Sequence, residues 1–254
     1  MFDASFGVRV YPEIGSTNAE ALRLGAAGER GPIWLRAERQ TAGKGRSGRS
    51  WVSEPGNLYA TLLVTLDCPQ AMTAQLSLVT GVAVHDSIVS AAAGQAPAGL
   101  QLKWPNDVVV GGSKCAGILS EAVRNPVSGE MTVAIGIGIN LKHAPEDIGR
   151  AALSLSALGI GVTAEVMLEH VDRSLRAALA AWDEGRGFDL VLDRWRRAGH
   201  AIGQELTVNA GKNVIRGRFR GLAADGALIL ADEGGYEHRV TFGDVAILPP
   251  GKDS

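Results

Sequence analysis

Apolar residues recur along the chain with two different periods, and these periods predict its secondary structure. Alternation with period two, or a short apolar run between turn residues, predicts β-strands. Apolar positions three and four residues apart predict helices. The predicted strands are residues 8–11, 33–38, 58–66, 100–104, 108–110, 115–124, 131–140, 205–208, 214–219, 227–230 and 239–242, and the predicted helices are residues 17–27, 72–93, 163–182 and 188–195.

Short loops between the middle strands determine how those strands pair. Residues 111–114 and residues 125–129 are the only connections within the run from residue 108 to residue 140. A parallel return needs a crossover of about a dozen residues, so these three strands must form an antiparallel meander. The last four strands are separated by turns rich in Gly, Asn and Asp, and they predict a small β-barrel of about 50 residues.

Two segments place bare backbone or polar groups where they can face a site. In residues 134–140, period two puts the isoleucines on one face and Gly136, Gly138 and Asn140 on the other. Glycine weakens a strand, so two on one face indicate that something flat packs on the backbone, either a ligand or a closely packed helix. Asn106 and Asp107 follow a proline that ends a strand, where polar side chains can also face a site.

Residues 41–51 combine glycines, cations and one large aromatic residue. The glycines are Gly43, Gly45 and Gly48, the cations are Lys44, Arg46 and Arg49, and the aromatic residue is Trp51. Glycine lets backbone N–H groups approach a ligand, and fixed cations donate charge-assisted hydrogen bonds to an anion. The segment predicts an anion-binding loop, with a solvated turn as the alternative. Its glycine spacing matches the dinucleotide fingerprint, but that fingerprint requires a helix to follow, and here a turn and a strand follow.

The start of the first predicted helix is also polar. Ser16, Thr17 and Asn18 open this helix, and Thr17 with Glu20 forms a capping-box pattern. Capping alone accounts for such residues. Alternatively, the same hydroxyl, amide and N–H groups bind a polar ligand at the helix start.

Composition limits the classes of partner. The chain has 254 residues, a formal net charge of −2 and a pI near 6.2, which argues against bulk electrostatic binding to nucleic acid. Cys68 and Cys115 form no metal or disulfide pattern, as is usual in a reducing compartment. Neither a signal peptide nor an apolar run of about 18 residues is present. We therefore expect a soluble, cytoplasmic protein that binds neither nucleic acid nor a membrane.

Five segments, taken together and in order, resemble the signatures of the biotin protein ligase family. They are Ser16-Thr17-Asn18; Gln40-Thr41-Ala42-Gly43-Lys44-Gly45-Arg46-Ser47-Gly48-Arg49 with Trp51; Lys103-Trp104-Pro105-Asn106-Asp107; Lys114-Cys115-Ala116-Gly117-Ile118-Leu119; and Gly136-Ile137-Gly138-Ile139-Asn140. The resemblance covers essentially the whole chain. At Lys44 the family usually has arginine, so the charge is kept and the bidentate fork is lost. Bifunctional members carry an N-terminal DNA-binding domain, which we do not expect because fifteen residues precede Ser16.

The resemblance implies an α+β fold with a central mixed, largely antiparallel sheet flanked by helices, as in the class II synthetase-like catalytic domain of biotin and lipoate ligases. It implies a catalytic biotin- and ATP-binding domain at residues 1–200 and a C-terminal SH3-like β-barrel domain at residues 201–254. The implied activity is an ATP-dependent ligation: biotin and ATP give biotinyl-5′-AMP and pyrophosphate, and biotin then passes to a lysine of a biotin carboxyl carrier protein domain of acetyl-CoA carboxylase or a related carboxylase. ATP with Mg²⁺ and biotin are substrates, and no tightly bound prosthetic group is expected.

The resemblance also assigns candidate residues to the steps of this reaction. The candidates for biotin binding are Ser16, Thr17, Asn18, Gln40, Gly43, Lys44, Gly45, Arg46, Lys114, Gly117, Gly136 and Gly138. The candidates for nucleotide binding are Lys44, Arg46, Arg49, Trp51, Asn106, Lys114 and Asn140. The candidate catalytic residues are Lys114, Arg46 and Asp107. Lys114 and Arg46 are candidates because an encounter of two anions needs fixed cations. For Asp107 four roles are open: orienting Arg46, orienting Lys114, binding Mg²⁺, or taking the proton of the acceptor lysine.

Two other functions are compatible with these segments: a lipoate-protein ligase of the same superfamily, and a non-enzymatic vitamin-binding sensor. The arginine-glycine loop and residues 103–107 favour biotin over lipoate. Pyrophosphate release with each vitamin separates the two ligases, and ligand binding without ATP turnover identifies a sensor. Some members of the family form homodimers through sheet edges, and the sequence leaves this open.

Overall fold

The computed structural model describes residues 5–124, 129–146, 151–211 and 213–247. The predicted turn at residues 125–129 lies outside this part of the chain except for Gly129, and so do residues 248–254 of the predicted second domain. Two β-sheets and four α-helices make up the described structure. None of the helices in these ranges combines the length and the apolar character needed to cross a membrane.

Seven strands form the larger sheet. They are β1 (Gly7–Ile14), β2 (Ile33–Gln40), β3 (Leu58–Leu66), β4 (Leu100–Lys103), β5 (Asp107–Val110), β6 (Ser113–Arg124) and β7 (Met131–Ile139). Their order across the sheet is β1-β2-β3-β7-β6-β5-β4. β1 and β2 are parallel and all other neighbours in this sheet are antiparallel. The prediction of a mixed, largely antiparallel sheet is therefore confirmed.

Helices cover both faces of this sheet. They are α1 (Thr17–Ala26), α2 (Leu76–Ala91), α3 (Ala164–Trp182) and α4 (Phe188–Ala198). α1 is the crossover between the parallel strands β1 and β2, and its Ala21 is buried against Leu35, Leu63 and Ala134. The other three helices pack on the opposite face, where alternate residues of β3 such as Leu62 join the main core.

Most helix predictions are confirmed, with two corrections. Residues 72–93 do not form one helix, because a 3₁₀ segment, Gln70–Gln75, precedes α2. The predicted capping box of Thr17 and Glu20 is wrong by one residue, because Ser16 is the N-cap of α1 and accepts from the Ala19 N–H at 3.4 Å. Glu20 pairs instead with Arg23, one turn further along the helix.

A second, five-stranded sheet forms the C-terminal β-domain. Its strands are β8 (Glu205–Ala210), β9 (Asn213–Leu222), β10 (Leu228–Ala231), β11 (Glu237–Val240) and β12 (Asp244–Ile247), in the order β11-β10-β9-β8-β12. Leu206 and Phe219 of this sheet share one hydrophobic core with Trp195 of α4. The indole N–H of Trp104 donates to the Gly226 carbonyl at 3.0 Å and ties the two sheets together. The boundary between residues 200 and 201 stays a prediction.

Candidate functional site

The floor of the site is a row of neighbouring positions on four strands of the large sheet. The Cα registers pair Tyr59 with Gly138, Gly138 with Gly117, and Gly117 with Asp107. Directly paired residues project to the same face of a sheet, so two bare glycines lie side by side between a tyrosine and a carboxylate. A second row carries Gly136 next to Thr61 and Leu119.

Side chains rather than open space lie above these glycines. A Cβ on Gly138 would lie 2.6 Å from ring carbons of Trp51, and a Cβ on Gly117 would lie 2.8 Å from the same ring. A Cβ on Gly136 would lie 2.1 Å from Oδ1 of Asn18, the second residue of α1. The expectation that something flat packs on this strand is met by an indole ring at Gly138 and by the start of a helix at Gly136.

Trp51 leaves one polar atom unsatisfied. Its indole Nε1 is buried and has no hydrogen-bond acceptor among the described residues. A buried N–H group without a partner costs free energy, so such groups in native proteins usually meet an acceptor on a ligand or a water. Nε1 is therefore a hydrogen-bond donor that a water or a ligand entering the cavity can satisfy.

The loop that carries Trp51 is a tight hairpin. The N–H of Gly45 donates to the Arg49 carbonyl at 2.7 Å, and the N–H of Trp51 donates to the Gly43 carbonyl at 2.9 Å. Between them, residues Arg46–Gly48 form a single 3₁₀ turn in which Ser47 has a φ of 56°. No α-helix starts in this loop, and the dinucleotide fingerprint is therefore excluded on structural grounds as well.

Four cations surround the floor, and they differ in their partners. The ammonium of Lys114 forms an ion pair with Asp107, and both side chains are largely buried. The same ammonium lies 5.1 Å from the centre of the Trp51 ring, within the range of a cation–π contact. Arg49 pairs with Asp244 of the C-terminal domain at 2.7 Å. No ion-pair partner of Lys44 occurs in the described part of the chain.

Arg46 is held by neutral acceptors. Its guanidinium donates to Oδ1 of Asn106 at 3.0 Å and lies 3.4 Å from the carbonyl oxygen of Gly243. Burial lowers the pKa of Arg46, and the nearby carboxylates of Asp244 and Asp107 act in the opposite direction. The guanidinium stays charged because arginine is not deprotonated in proteins. Since no carboxylate of the described residues lies within hydrogen-bonding distance of this guanidinium, its charge is available to an anion in the cavity.

A chain of hydrogen bonds connects the start of α1 with the loop. Oε1 of Gln40 accepts from the backbone N–H of Thr17 at 2.9 Å and from its hydroxyl at 3.1 Å. The Thr61 hydroxyl, which is fully buried, lies 2.7 Å from Oδ1 of Asn18 and 2.8 Å from Oγ1 of Thr17. On the other side, Nε2 of Gln40 donates to Ser53, whose hydroxyl donates to the carbonyl of Trp51. The amide of Gln40 therefore has one orientation.

One cavity collects these groups. It is lined by Ser16, Thr17, Asn18, Gln40, Lys44, Gly45, Arg46, Arg49, Ser50, Trp51, Tyr59, Asn106, Asp107, Lys114, Gly117, Ile118, Leu119, Gly136, Ile137, Gly138 and Asp244. Its volume is about 50 Å³, well below the range of roughly 300–1,000 Å³ that is usual for sites of small organic ligands. A ligand with two fused rings therefore requires Trp51, the largest side chain over the floor, to shift.

Two predicted site residues, Gly43 and Asn140, do not line the cavity. Gly43 lies behind it, where a Cβ would come within 2.5 Å of the Trp51 carbonyl oxygen. Asn140 is buried, and its side-chain amide lies 3.4 Å from the carbonyl of Lys114 and 3.2 Å from that of Leu153. Asn140 thus holds the backbone that carries Lys114. Lys114 itself, predicted in a turn, is the second residue of β6, and the turn prediction is wrong there.

Several cavity residues were not among the sequence candidates. Tyr59 shares a face of β3 with Thr61, but period two does not show that this face meets the site, because no residue of β3 was a candidate. Ser50 lies next to a predicted site residue in the sequence, and only this position indicates that it lines the cavity. Asp244 has no sequence signal, because it follows the loop by almost two hundred residues.

The described residues contain no group of three or more His, Cys, Asp or Glu side chains that could hold a metal ion. The carboxylates in the cavity lining are those of Asp107 and Asp244. Mg²⁺ typically binds through one or two carboxylates together with the phosphates of its nucleotide. Each of these carboxylates already pairs with a cation, so a Mg²⁺ that arrives with a nucleotide would be held mainly by the phosphates.

Comparison with known proteins identifies relatives of both halves of the chain. Residues 16–140 match the sequence model of the Biotin/lipoate A/B protein ligase family, and residues 201–248 match that of the Biotin protein ligase C terminal domain. The chain is 38% identical over 229 residues to a biotin--acetyl-CoA-carboxylase ligase of Paracoccus denitrificans, covering 87% of this chain and 93% of that one. It is 36% identical to an enzyme of the same name from Mycobacterium tuberculosis, covering 94% and 88% of the two chains.

A solved structure shares the fold. The biotin protein ligase of Aquifex aeolicus in complex with biotin and ATP superposes with a TM-score of 0.79 at 26% identity. The superposition covers 96% of this chain and 99% of that one. The large sheet, its helices and the C-terminal domain therefore have the same arrangement in both proteins.

Proposed function

The chain belongs to the biotin/lipoate A/B protein ligase family, and from this premise we propose that it activates biotin with ATP and transfers it to a protein lysine. In the first step, the biotin carboxylate attacks the α-phosphate of ATP, giving biotinyl-5′-AMP and releasing pyrophosphate. In the second step, the amine of a lysine attacks the acyl carbon of this anhydride, giving biotinyl-lysine and AMP. The enzyme is thus an ATP-dependent biotin ligase.

One observation carries this proposal: fixed cations surround a cavity whose floor is bare backbone. The attack of a carboxylate on a phosphate brings two anions together, so positive charge must be in place before the reaction begins. Lys114 of β6 and the loop residues Arg46 and Arg49 line the cavity, so its cations come from two separate segments of the chain. Mg²⁺ bound with ATP would neutralise further phosphate charge.

We infer that biotin lies between the start of α1 and the floor. The ureido ring needs donors and acceptors of fixed direction. Thr17 and Gln40 bond each other, and Thr61 links Thr17 with Asn18. Ser16 adds the hydroxyl that caps α1. Its flat ring system would take the space above Gly117 and Gly138 that Trp51 now fills. Lys44, Gly45 and Gly136 complete the proposed biotin site, and Gly43 supports it from behind through the loop backbone.

For the nucleotide we propose the opposite end of the cavity. Lys44, Arg46, Arg49 and Lys114 would contact the phosphates, and Asn106 would help orient Arg46. Trp51 would cover the anhydride and exclude water from it, which protects a product that water destroys. Asn140 would act through the backbone of Lys114, because its amide contacts that carbonyl and does not line the cavity.

Asp107 has two proposed roles in this mechanism. In the first step it orients Lys114, with which it pairs. In the second step the acceptor lysine must lose a proton, because its amine has a pKa of about 10.4 in water. Asp107 is the carboxylate next to Lys114 that can take this proton. The catalytic residues of the proposal are therefore Lys114, Arg46 and Asp107.

The proposed protein partner is the biotin carboxyl carrier domain of an acetyl-CoA or related carboxylase. The relatives from Paracoccus denitrificans and Mycobacterium tuberculosis carry acetyl-CoA carboxylase in their names. We also propose a cytoplasmic location, because Cys68 and Cys115 are both buried and form no disulfide, as is common in a reducing compartment.

We also propose that two copies can pair through sheet edges. β1 is the outer strand of the large sheet, and its Val8 and Val10 are 47% and 52% exposed. An outer strand with free N–H and C=O groups and apolar side chains is a template for a further strand. Sedimentation at increasing protein concentration tests this, with Val10→Lys as the variant that should stay monomeric.

Incubation with biotin, Mg-ATP and a purified carrier domain tests the main proposal. We expect the carrier mass to rise by one biotinyl group, and pyrophosphate to be released only when biotin is present. Pyrophosphate release with lipoate instead of biotin would identify a lipoate ligase. Biotin binding without any ATP turnover would identify a vitamin-binding sensor and overturn the proposal.

A further inference from the structure

A turn of the C-terminal domain reaches the cation loop of the catalytic sheet. Residues 241–243 connect β11 with β12, whose first residue is Asp244, and lie almost two hundred residues after the loop at residues 43–51. The carbonyl oxygen of Gly243 accepts from the guanidinium of Arg46 at 3.4 Å. The carboxylate of Asp244 accepts from the guanidinium of Arg49 at 2.7 Å and also lines the cavity. The two domains thus meet at the cations.

The backbone of this turn is held in place. Gly243 has a φ of +137°, a conformation that side chains rarely adopt. A Cβ there would lie 2.7 Å from Cγ1 of Val208 and 2.9 Å from the carbonyl oxygen of Asn209, both in β8. The turn therefore packs directly on the neighbouring strand, and the Gly243 carbonyl points to Arg46 from a rigid support.

We propose that residues 243 and 244 are positioning residues of the adenylation site, holding Arg46 and Arg49 so that their charges face the cavity. This inference rests on the proposed function and extends it to the C-terminal domain. Neither residue touches the reacting atoms. Each acts through an arginine, and together they link the order of the cation loop to the folding of the second sheet.

The contacts of Arg46 and Arg49 with the C-terminal domain leave these arginines able to bind an anion in the cavity. The guanidinium of Arg46 donates to Asn106 of the catalytic sheet and to Gly243 of the C-terminal domain, and both acceptors are uncharged. Arg49 donates from Nε to the Arg46 carbonyl and from Nη2 to Asp244, so its remaining N–H groups can still meet a phosphate. The side chains of Arg49 and Asp244 are 42% and 49% exposed, so the ion pair is weak and a bound anion can compete with it.

The test compares Asp244→Asn with Asp225→Asn. Asp225 pairs with Arg239 in the same domain at a similar exposure, but it has no contact with the loop. Hydrogen exchange of the peptide covering residues 43–51, in protein without substrates, reports the order of the loop directly. Steady-state pyrophosphate release then gives KM for ATP and KM for biotin separately.

We expect Asp244→Asn to speed exchange of the loop amides and to raise KM for ATP, each by about two- to fivefold, as for loss of an exposed ion pair. KM for biotin and the melting temperature should stay unchanged, Asp244→Glu should restore both readouts, and Asp225→Asn should match wild type. With Arg49→Gln already present, Asp244→Asn should add nothing.

Unchanged loop exchange in Asp244→Asn, or fully additive effects with Arg49→Gln, would overturn the positioning role. The exchange measurement needs no substrate, so it decides this inference even if wild-type protein forms no biotinyl-5′-AMP. Absence of biotinyl-5′-AMP would instead overturn the proposed function. The two failures are therefore distinguishable.

Discussion

The indole ring of Trp51 lies on the backbone of Gly138, so close that a Cβ on Gly138 would come within 2.6 Å of ring carbons. This contact joins the cation loop to the centre of the sheet. It depends on a missing side chain, because the ring can reach the strand only where no Cβ intervenes. Above the same floor, the ammonium of Lys114 lies 5.1 Å from the centre of the ring.

Gly138→Ala should therefore displace Trp51 and weaken the site. Alanine would normally suit a strand better than glycine, so a loss of function here would come from the steric clash. We expect a stability loss of about 1–3 kcal/mol, as for overpacked sites, and faster release of biotinyl-5′-AMP. Gly161→Ala is the matched control, since a Cβ there meets nothing within 4 Å. Equal melting temperatures and adenylate lifetimes in the two variants would contradict the contact.

Lys114→Ala should abolish biotin-dependent pyrophosphate release, and it should also destabilise the protein. The ion pair of Lys114 and Asp107 is largely buried, and removing one partner of a buried pair costs about 3–5 kcal/mol because the other charge is left uncompensated. The double variant Lys114→Ala/Asp107→Ala should regain much of the melting temperature but no activity. Stopped-flow pyrophosphate detection and thermal unfolding measure the two effects.

This comparison separates a catalytic role from a structural one. If the double variant regains both stability and pyrophosphate release, Lys114 serves only to compensate Asp107. Release by the single variant at a rate near that of wild type would exclude the catalytic role outright. We expect a fall of about two to three orders of magnitude, as for loss of one group that stabilises developing charge.

The local pattern of the sequence predicted the floor of the site because period two is reliable within one strand. The glycines of β7 could be assigned to one face from their spacing alone, and Trp51 and the cations could be assigned to one loop. What covers each glycine could not be predicted, since both a ligand and a helix satisfy bare backbone. The structure shows Asn18 over Gly136 and Trp51 over Gly138.

Contacts between distant segments had no sequence signal. Asp244 lies beyond the last predicted strand, and its distance from Arg49 depends on how the second sheet packs on the first. Thr61 lies in a strand whose other residues are mainly apolar, yet its hydroxyl is fully buried among polar partners. Likewise, nothing in the sequence indicates that His200 contacts the backbone of the segment that carries Asn106 and Asp107.

His200 should make folding stability depend on pH. It is buried between the two sheets, where its ring packs edge-on against Phe219 and its Nε2 lies 3.4 Å from the backbone nitrogen of Trp104. Burial lowers its pKa to about 4 from the ordinary 6.5. The unfolded chain therefore binds more protons between these two values, so stability is complete above pH 6.5 and falls as the pH decreases toward 4.

Urea unfolding at several pH values measures this dependence. The pKa difference corresponds to a loss of about 2–3 kcal/mol between pH 7.5 and pH 4.5. In His200→Gln, which cannot titrate, this contribution should be missing, so the stability of the variant should change less over the same range. Carboxylates elsewhere titrate equally in both proteins and cancel in the comparison. Parallel curves for the two proteins would contradict the assignment.

Thr61→Val should weaken biotin binding without affecting ATP. The variant keeps the shape of the side chain but removes the hydroxyl that lies 2.7 Å from Oδ1 of Asn18 and 2.8 Å from Oγ1 of Thr17. Loss of a buried neutral hydrogen bond costs about 0.5–1.5 kcal/mol, so KM for biotin should rise by about two- to tenfold. Thr61→Ser keeps the hydroxyl and should behave like wild type. An equal rise in KM for ATP would show that the network supports the fold in general and does not orient the biotin site.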